Sequence, residues 1–464
     1  MTTHTHKRLN DNAATRWLAL IIVSATMMFG YFFTDVMSPL EPLLSSTLRW
    51  NGNEYGFFSG SYGLINVFLL MLFFGGIILD RMGIRFTGML SCILMVLGAG
   101  IKWYAVSQVD VEAVVAGFHL DLVIVQIDNP HLTNLLAALG FAIFGVGSET
   151  AGITISKIIT KWFTGHELAL AMGLQVATAR FGTAAALFFA LPIAQKFGGI
   201  SASVGLGCAL LCIGLFFFVF YCFMDRRLDE SIRSEAAQAN GQGSAEDDQF
   251  KLSDLKAIFS NPGFWFICLL CLMFYGSVFP FLKFATKLMI DKYNVPAEWA
   301  GSIPGMLPFG TILLTPIFGG IYDKKGHGVL LMLTGSVLLT LVHILFALPM
   351  LDQWWMAIAC MILLGIAFSL VPSAMWPSVP KIIPMKQLGS AFAIIFFIQN
   401  IGLSLIPMGI GRVNQLNTSA AGVTDYTHTM LIFAFFGAVS IVLALLLLQL
   451  DRKKHYGLEQ RNCE

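Results

Sequence analysis

The chain has 464 residues, of which 56% are hydrophobic and 12% charged, with a formal net charge of +1. A soluble chain of this length carries about 25% charged residues, so half that share excludes an ordinary soluble domain and points to a polytopic membrane protein. A balanced charge also excludes a nucleic-acid binder held by a basic field.

A spanning helix needs about 20 mostly apolar residues. Apolar runs at 17–40, 54–79, 86–107, 131–160, 166–196 and 200–224 predict the first spans. The run that starts at Trp17 is too long for a signal-peptide core, and no small-residue cleavage site follows it. Asp35, in "YFFTDVMSPLEP", falls toward the outer end of this span. After the second span comes "GGIILDRMGIR", with Gly76, Asp80, Arg81, Gly83 and Arg85 in one short turn. Between spans three and four, residues 108–130 show β-branched alternation around Gly117 and predict a small outer β-hairpin. The segment 225–260 is polar, charged and poor in aromatics, and reads as a solvated linker.

A second set of runs follows at 262–290, 297–322, 328–350, 353–383, 387–415 and 426–450. Lys283 follows Pro280 in the seventh span of the chain. The turn after the eighth, "GGIYDKKGHG", repeats the first motif with Asp323 and Lys324. The tenth is broken by prolines around Trp376, and the eleventh carries Gln399 and Asn400 in an apolar field. Seven of the eight cysteines lie in apolar stretches and read as packing residues. No catalytic constellation, metal-ligand set or cofactor motif appears, so no enzyme is expected.

The expected fold is therefore an all-α membrane protein of twelve transmembrane helices in two six-helix bundles. Residues 1–224 form the N-terminal bundle, 225–260 the cytosolic linker and 261–464 the C-terminal bundle. Only Arg49, Lys196, Lys287, Lys292 and Arg412 of the 28 Lys and Arg residues fall in the outer loops. That asymmetry places both termini in the cytosol.

Ionisable residues inside a membrane are costly and tend to face a cavity or a partner. Glu149 precedes Lys161, and Arg180 follows His166, by similar distances along the fourth and fifth spans. At about 1.5 Å per residue both sit roughly 18–21 Å from the inner surface of a core about 30 Å thick. Two opposite charges thus share a depth near the midplane. They form either a buried salt bridge or a clamp for a solute bearing both signs. In the clamp, Arg180 grips a carboxylate in bidentate fashion and Glu149 receives an ammonium. Trp376, Gln399, Asp35 and Lys283 are the further candidates for the substrate path. The repeated turns would bias the conformational balance, with Asp80 and Asp323 set against a helix N-terminus or an arginine.

The two glycine-and-aspartate turns resemble the signature loop of the major facilitator superfamily. "GVGSET", "WFTGHELALAMGLQVATARFG" and "SAMWPSVPKIIPMKQLGSAFAIIFFIQNIGL" resemble one branch of it, domain-containing protein 1, a group of lysosomal dipeptide uniporters. The resemblance implies alternating access, a dipeptide-like zwitterion as substrate, and Glu149 and Arg180 at its amino and carboxyl ends. Rival readings are a proton-coupled peptide symporter, an anion porter for nitrate or organophosphate, and a non-transporting solute sensor. The anion porters place arginines on spans one, two, seven or eight, where this chain has none at mid-membrane. No acidic dileucine sorting signal stands before the first span, so a cell-surface or bacterial inner membrane is expected rather than a lysosomal one. A monomer in the lipid bilayer is expected, and no accessory subunit is carried over.

Overall fold

The computed structural model describes residues 9–163, 166–238, 258–384 and 387–461. Its helices are α1 (Ala13–Asp35), α2 (Glu41–Thr47), α3 (Gly52–Phe68), α4 (Met71–Ser107), α5 (Leu132–Phe163), α6 (Leu168–Phe197), α7 (Ile200–Gln238), α8 (Pro262–Asp291), α9 (Ala297–Ala300), α10 (Ser302–Lys325), α11 (Gly328–Ala347), α12 (Trp354–Ile382), α13 (Leu388–Leu416) and α14 (Thr427–Lys454). Strands β1 (His119–Leu122) and β2 (Val125–Asp128) pair antiparallel between α4 and α5.

Local chemistry sets several starts. Asn12 accepts from the Ala14 amide to open α1. Asn51 and Glu54 cap each other's backbone at α3. Asn261, followed by Pro262, opens α8.

Among the described residues, eleven helices are long and apolar enough to cross a membrane. One of them, α4, has 37 residues, or about 55 Å of straight helix, nearly twice the thickness of the core. It turns back at Gly83, whose φ of 80° and ψ of 171° suit glycine alone. The part before Gly83 completes the pass begun by α3, across a break at the left-handed Leu70 (φ 51°). Helix α4 therefore serves two passes, and the crossings among the described residues number twelve. The second expected span, 54–79, is not one unbroken helix.

Within the first bundle α1 packs on α6 and α7, and α4 on α5 and α7. Glycines let these backbones approach: a Cβ on Gly98 or Gly140 would overlap the facing main chain of the α4–α5 pair. In the second bundle α11 packs on α12 and α14, and α8 on α13 and α14.

The bundles meet along α3–α13 and α6–α10, on the side that carries the hairpin. There a Cβ on Gly56 would overlap Gly411 and Pro407. Ser404 Oγ donates to Gly60 O at 2.9 Å, and Gly52 N donates to Gln415 Oε1 at 2.7 Å. Gly301 and Gly305 press on Leu187 and Phe188. On the side that carries the termini, Gly76, Gly173, Gly319, Gly320 and Gly389 face open space. The bundles close on each other on the hairpin side.

The linker begins later than its composition predicts. Helix α7 runs through Gln238, and Asp225 is fully buried rather than solvated. Its carboxylate binds Lys161 Nζ at 2.7 Å and accepts from Tyr221 OH at 3.1 Å, while Arg226 pairs with Glu230 one turn on. These pairings carry the helix past the apolar run. Residues 239–257 lie outside the described residues.

Candidate functional site

Glu149 lies midway along α5 and Arg180 midway along α6, both half-buried. They are not an ion pair, and the described residues hold no salt bridge for either. Glu149 Oε1 accepts from Tyr62 OH of α3 at 2.8 Å. Asn400 of α13 approaches the same carboxylate from the opposite bundle. Arg180 makes no hydrogen bond to the described residues. Its guanidinium lies over three rings, Phe279 of α8 at 5.1 Å, Phe368 of α12 at 5.2 Å and Tyr31 of α1 at 5.9 Å. Both charges therefore face the space between the bundles, not lipid.

The aromatic contacts have a chemical consequence. A ring face stabilises a desolvated guanidinium by about 2 kcal/mol without using an N–H donor. The five N–H groups of Arg180 stay available for a carboxylate. Tyr31 lies within electrostatic reach of both Arg180 and Glu149.

Trp376 borders the same wall. Its Nε1 donates to Tyr275 OH at 2.9 Å, and its ring stacks on Phe396 at 5.1 Å. Tyr275 in turn packs against Phe279 and Phe368, each at 5.5 Å. Gln399 is buried in α13, one residue before Asn400, the residue that reaches Glu149.

Asp35 and Lys283 are not beside this pair. They bind each other across the bundles, Nζ to Oδ1 at 2.7 Å, and Lys283 also donates to Thr34 O at 2.9 Å. Tyr55 OH donates to Lys283 O at 2.7 Å and joins α3 to the same lock on the hairpin side. Lys102 is wholly buried nearby, over the rings of Phe33 at 4.2 Å and Phe141 at 4.3 Å.

The repeated turns sit on the termini side. Asp80 pairs with Lys157 at 2.7 Å within its own bundle, not with an arginine or a helix end. Arg85 reaches Asp229 at 2.9 Å and Asp225 at 3.6 Å. Gly83 makes the turn, Arg81 is exposed and Gly76 faces open space. Asp323 and Lys324 end α10, where the following turn is held by the chain's last described residues: His327 N donates to Glu459 O at 2.9 Å.

Sequence reading missed Tyr62, Tyr31, Tyr275, Phe279 and Phe368. Tyr62 sits in a Gly- and Ser-rich stretch of α3, "SGSYGLIN", whose small residues were a usable sign of close approach. The aromatic residues gave no such sign, because forty phenylalanines are spread through the chain.

Two helical bundles packed along one side, with an acid and a base facing the interface between them, are the architecture of a membrane transporter. The model of the Major Facilitator Superfamily matches residues 20–407, and the chain belongs to that superfamily. It is 26% identical over 417 residues to the lysosomal dipeptide transporter MFSD1 of Bos taurus, covering 85% of this chain and 79% of the relative. The Homo sapiens protein of the same name is 26% identical over 420 residues, covering 86% and 80%. Among solved structures, a mutant of the nucleoside transporter NupG superposes with a TM-score of 0.69 at 17% identity, covering 93% of this chain and 99% of that one. The D-xylose-proton symporter also gives 0.69, at 13% identity, covering 93% and 97%. These likenesses are of fold.

Proposed function

We propose that this transporter carries dipeptides or similar small zwitterions by alternating access, as a uniporter. The reading rests above all on Glu149 and Arg180, which face one space between the bundles and leave each other unpaired. An unpaired charge in a low-dielectric site is expensive, so a solute that supplies both missing signs gains most by entering. The ammonium goes to Glu149 and the carboxylate to Arg180. The aromatic wall of Tyr275, Phe279, Phe368 and Trp376 takes the apolar part between them. The name of the MFSD1 relatives agrees with this substrate class.

The two bundles rock about this site, joined by the chain that follows α7. Breaking Asp35–Lys283 opens the hairpin side, and joining the repeated turns closes the termini side, which the Lys and Arg asymmetry puts in the cytosol. Asp35 and Lys283 then serve the gate in this state and meet substrate only once it opens.

Uptake into vesicles tests the reading. Dialanine should enter, while N-acetyl-dialanine and dialanine amide should enter at least tenfold more slowly. Glu149→Gln should abolish discrimination against the acetylated form, and Arg180→Lys discrimination against the amide. Equal entry of all three solutes would refute the zwitterion clamp. Loss of accumulation when a pH gradient is collapsed would refute uniport.

A further inference from the structure

The hairpin between α4 and α5 has no part in the site. A lone two-stranded hairpin is marginal in water, so something must hold it. Its base is held by its own bundle. Val115 N donates to Pro130 O at 2.9 Å, and Gly117 N to Asn129 Oδ1 at 2.8 Å. His131 N donates to Glu54 Oε1 of α3 at 2.8 Å, and Asn134 Nδ2 to Glu54 O at 2.9 Å.

Its tip is held by the other bundle. Arg412 of α13 donates from Nη1 to the carbonyls of Leu122 and Val123 at 2.5 and 3.0 Å, and its guanidinium lies 3.6 Å from Asp121. Those two carbonyls sit at the turn, and Leu122 pairs with Val125 in the ladder. One face of β2, Val125 and Ile127, is buried together with Met408 of α13, with Phe57 and Leu64 of α3 packed alongside. The alternate residues Gln126 and Asp128 face outward, as the pleat requires. The strap thus starts on one bundle, crosses the α3–α13 seam and fastens on the other.

That seam must part for the hairpin side to open. We infer that the hairpin is a clasp of the closed state, and that its tip must leave Arg412 and Met408 before the hairpin side can admit or release solute. The inference rests on the alternating-access reading proposed above. It assigns the 108–130 insertion a share in setting the balance and rate of the cycle.

The geometry supplies its own test. A Cβ placed on Gly409 would lie 4.0 Å from the Ile124 Cβ, within the about 3.5–4.5 Å that a disulfide requires. The double variant Ile124→Cys/Gly409→Cys is made in the full chain, with Cys212, an exposed native thiol, replaced by Ser. A reporter, Ser38→Cys, is added in the buried seam and labelled by an impermeant maleimide from the hairpin side. In the reduced protein the reporter should label during dialanine turnover. Oxidation should cut labelling and uptake at least tenfold, and reduction should restore both. Arg412→Glu, which repels Asp121 and the turn carbonyls, should raise labelling several-fold in the unstapled protein.

A verified staple that still labels and transports at the reduced rate would overturn the clasp alone. So would Arg412→Glu labelling at the parent rate. Transport by the unstapled parent without any exposure of the reporter would overturn the clasp and the alternating-access reading together.

Discussion

At the scale of single residues, the site separates charge compensation from charge occupancy. Arg180 lies over ring faces, and Glu149 accepts from Tyr62 with Asn400 beside it, so neither has a partner of opposite charge among the described residues. Tyr62 is the residue that aims Glu149, through one hydrogen bond of 2.8 Å to a carboxylate oxygen. Hydrogen bonds to charged groups contribute about 1.5–3 kcal/mol. Tyr62→Phe should therefore raise the KM for dialanine about tenfold or more. The residual uptake of the N-acetyl form, which has no ammonium to place, should stay unchanged. A uniform loss across both solutes would mean that Tyr62 packs α3 on α5 and does not position the acid. Lys102 shows the limit of reasoning by charge. It is a fully buried lysine among phenylalanine rings, on the hairpin side with Asp35 and Lys283 and away from Glu149 and Arg180.

At the scale of elements, the two repeated turns share a motif and differ in what holds them. In the first bundle the helical extension of α7 brings Asp225 and Asp229 to Arg85 and Lys161. In the second, the tail after α14 does this work. Glu459 Oε1 accepts from Val329 N at 2.7 Å and from Leu330 N at 3.3 Å, capping the first turn of α11 with a carboxylate. Lys381 of α12 donates to Gly457 O and Gln460 O at 3.0 and 2.8 Å and keeps that tail in place. Loss of a helix cap costs about 1 kcal/mol. Glu459→Ala should then lower the melting midpoint by a few degrees in detergent, with clamp discrimination between dialanine and its amide intact. An unchanged midpoint would show that the tail contact does not stabilise the second bundle.

At the scale of the whole molecule, closing the hairpin side buries polar groups from both bundles. Glu41 of α2 is the most exacting of these, since its Oε2 is buried without a hydrogen-bond partner among the described residues. The groups around it are Lys287 and Asp291 of α8, Tyr55 of α3 and Tyr426 before α14. Burial pushes the Glu41 carboxyl well above the usual carboxylate range, opposed by Lys287 and reinforced by Asp291. The closed state holds this proton more tightly than an open state in which Glu41 meets water. Closure is therefore fully favoured at pH values below the ordinary value of about 4.3. It weakens as pH rises from there through the raised value. A spectroscopic distance across the hairpin side, measured against pH, should show the closed fraction falling on that path. Glu41→Gln should flatten the dependence. An equal pH dependence in the variant would move the linkage to another group.

Hydropathy and charge counts alone determine much of this protein. The crossings, the repeat of the glycine-and-aspartate turn and the placing of Glu149 and Arg180 midway along their helices all follow from one-dimensional spacing. Bilayer thickness and helix rise convert that spacing into depth. Depth is what a sequence can supply, because a spanning helix has one free coordinate along the membrane normal. Rotation about each helix axis, and the pairing of helices from different bundles, depend on side-chain packing between segments far apart in the chain. Only the tertiary structure therefore decided that Glu149 meets Tyr62 while Arg180 meets rings. In the same way, it decided that Asp35 and Lys283 answer each other across the seam, and that a short hairpin fastens one bundle to the other.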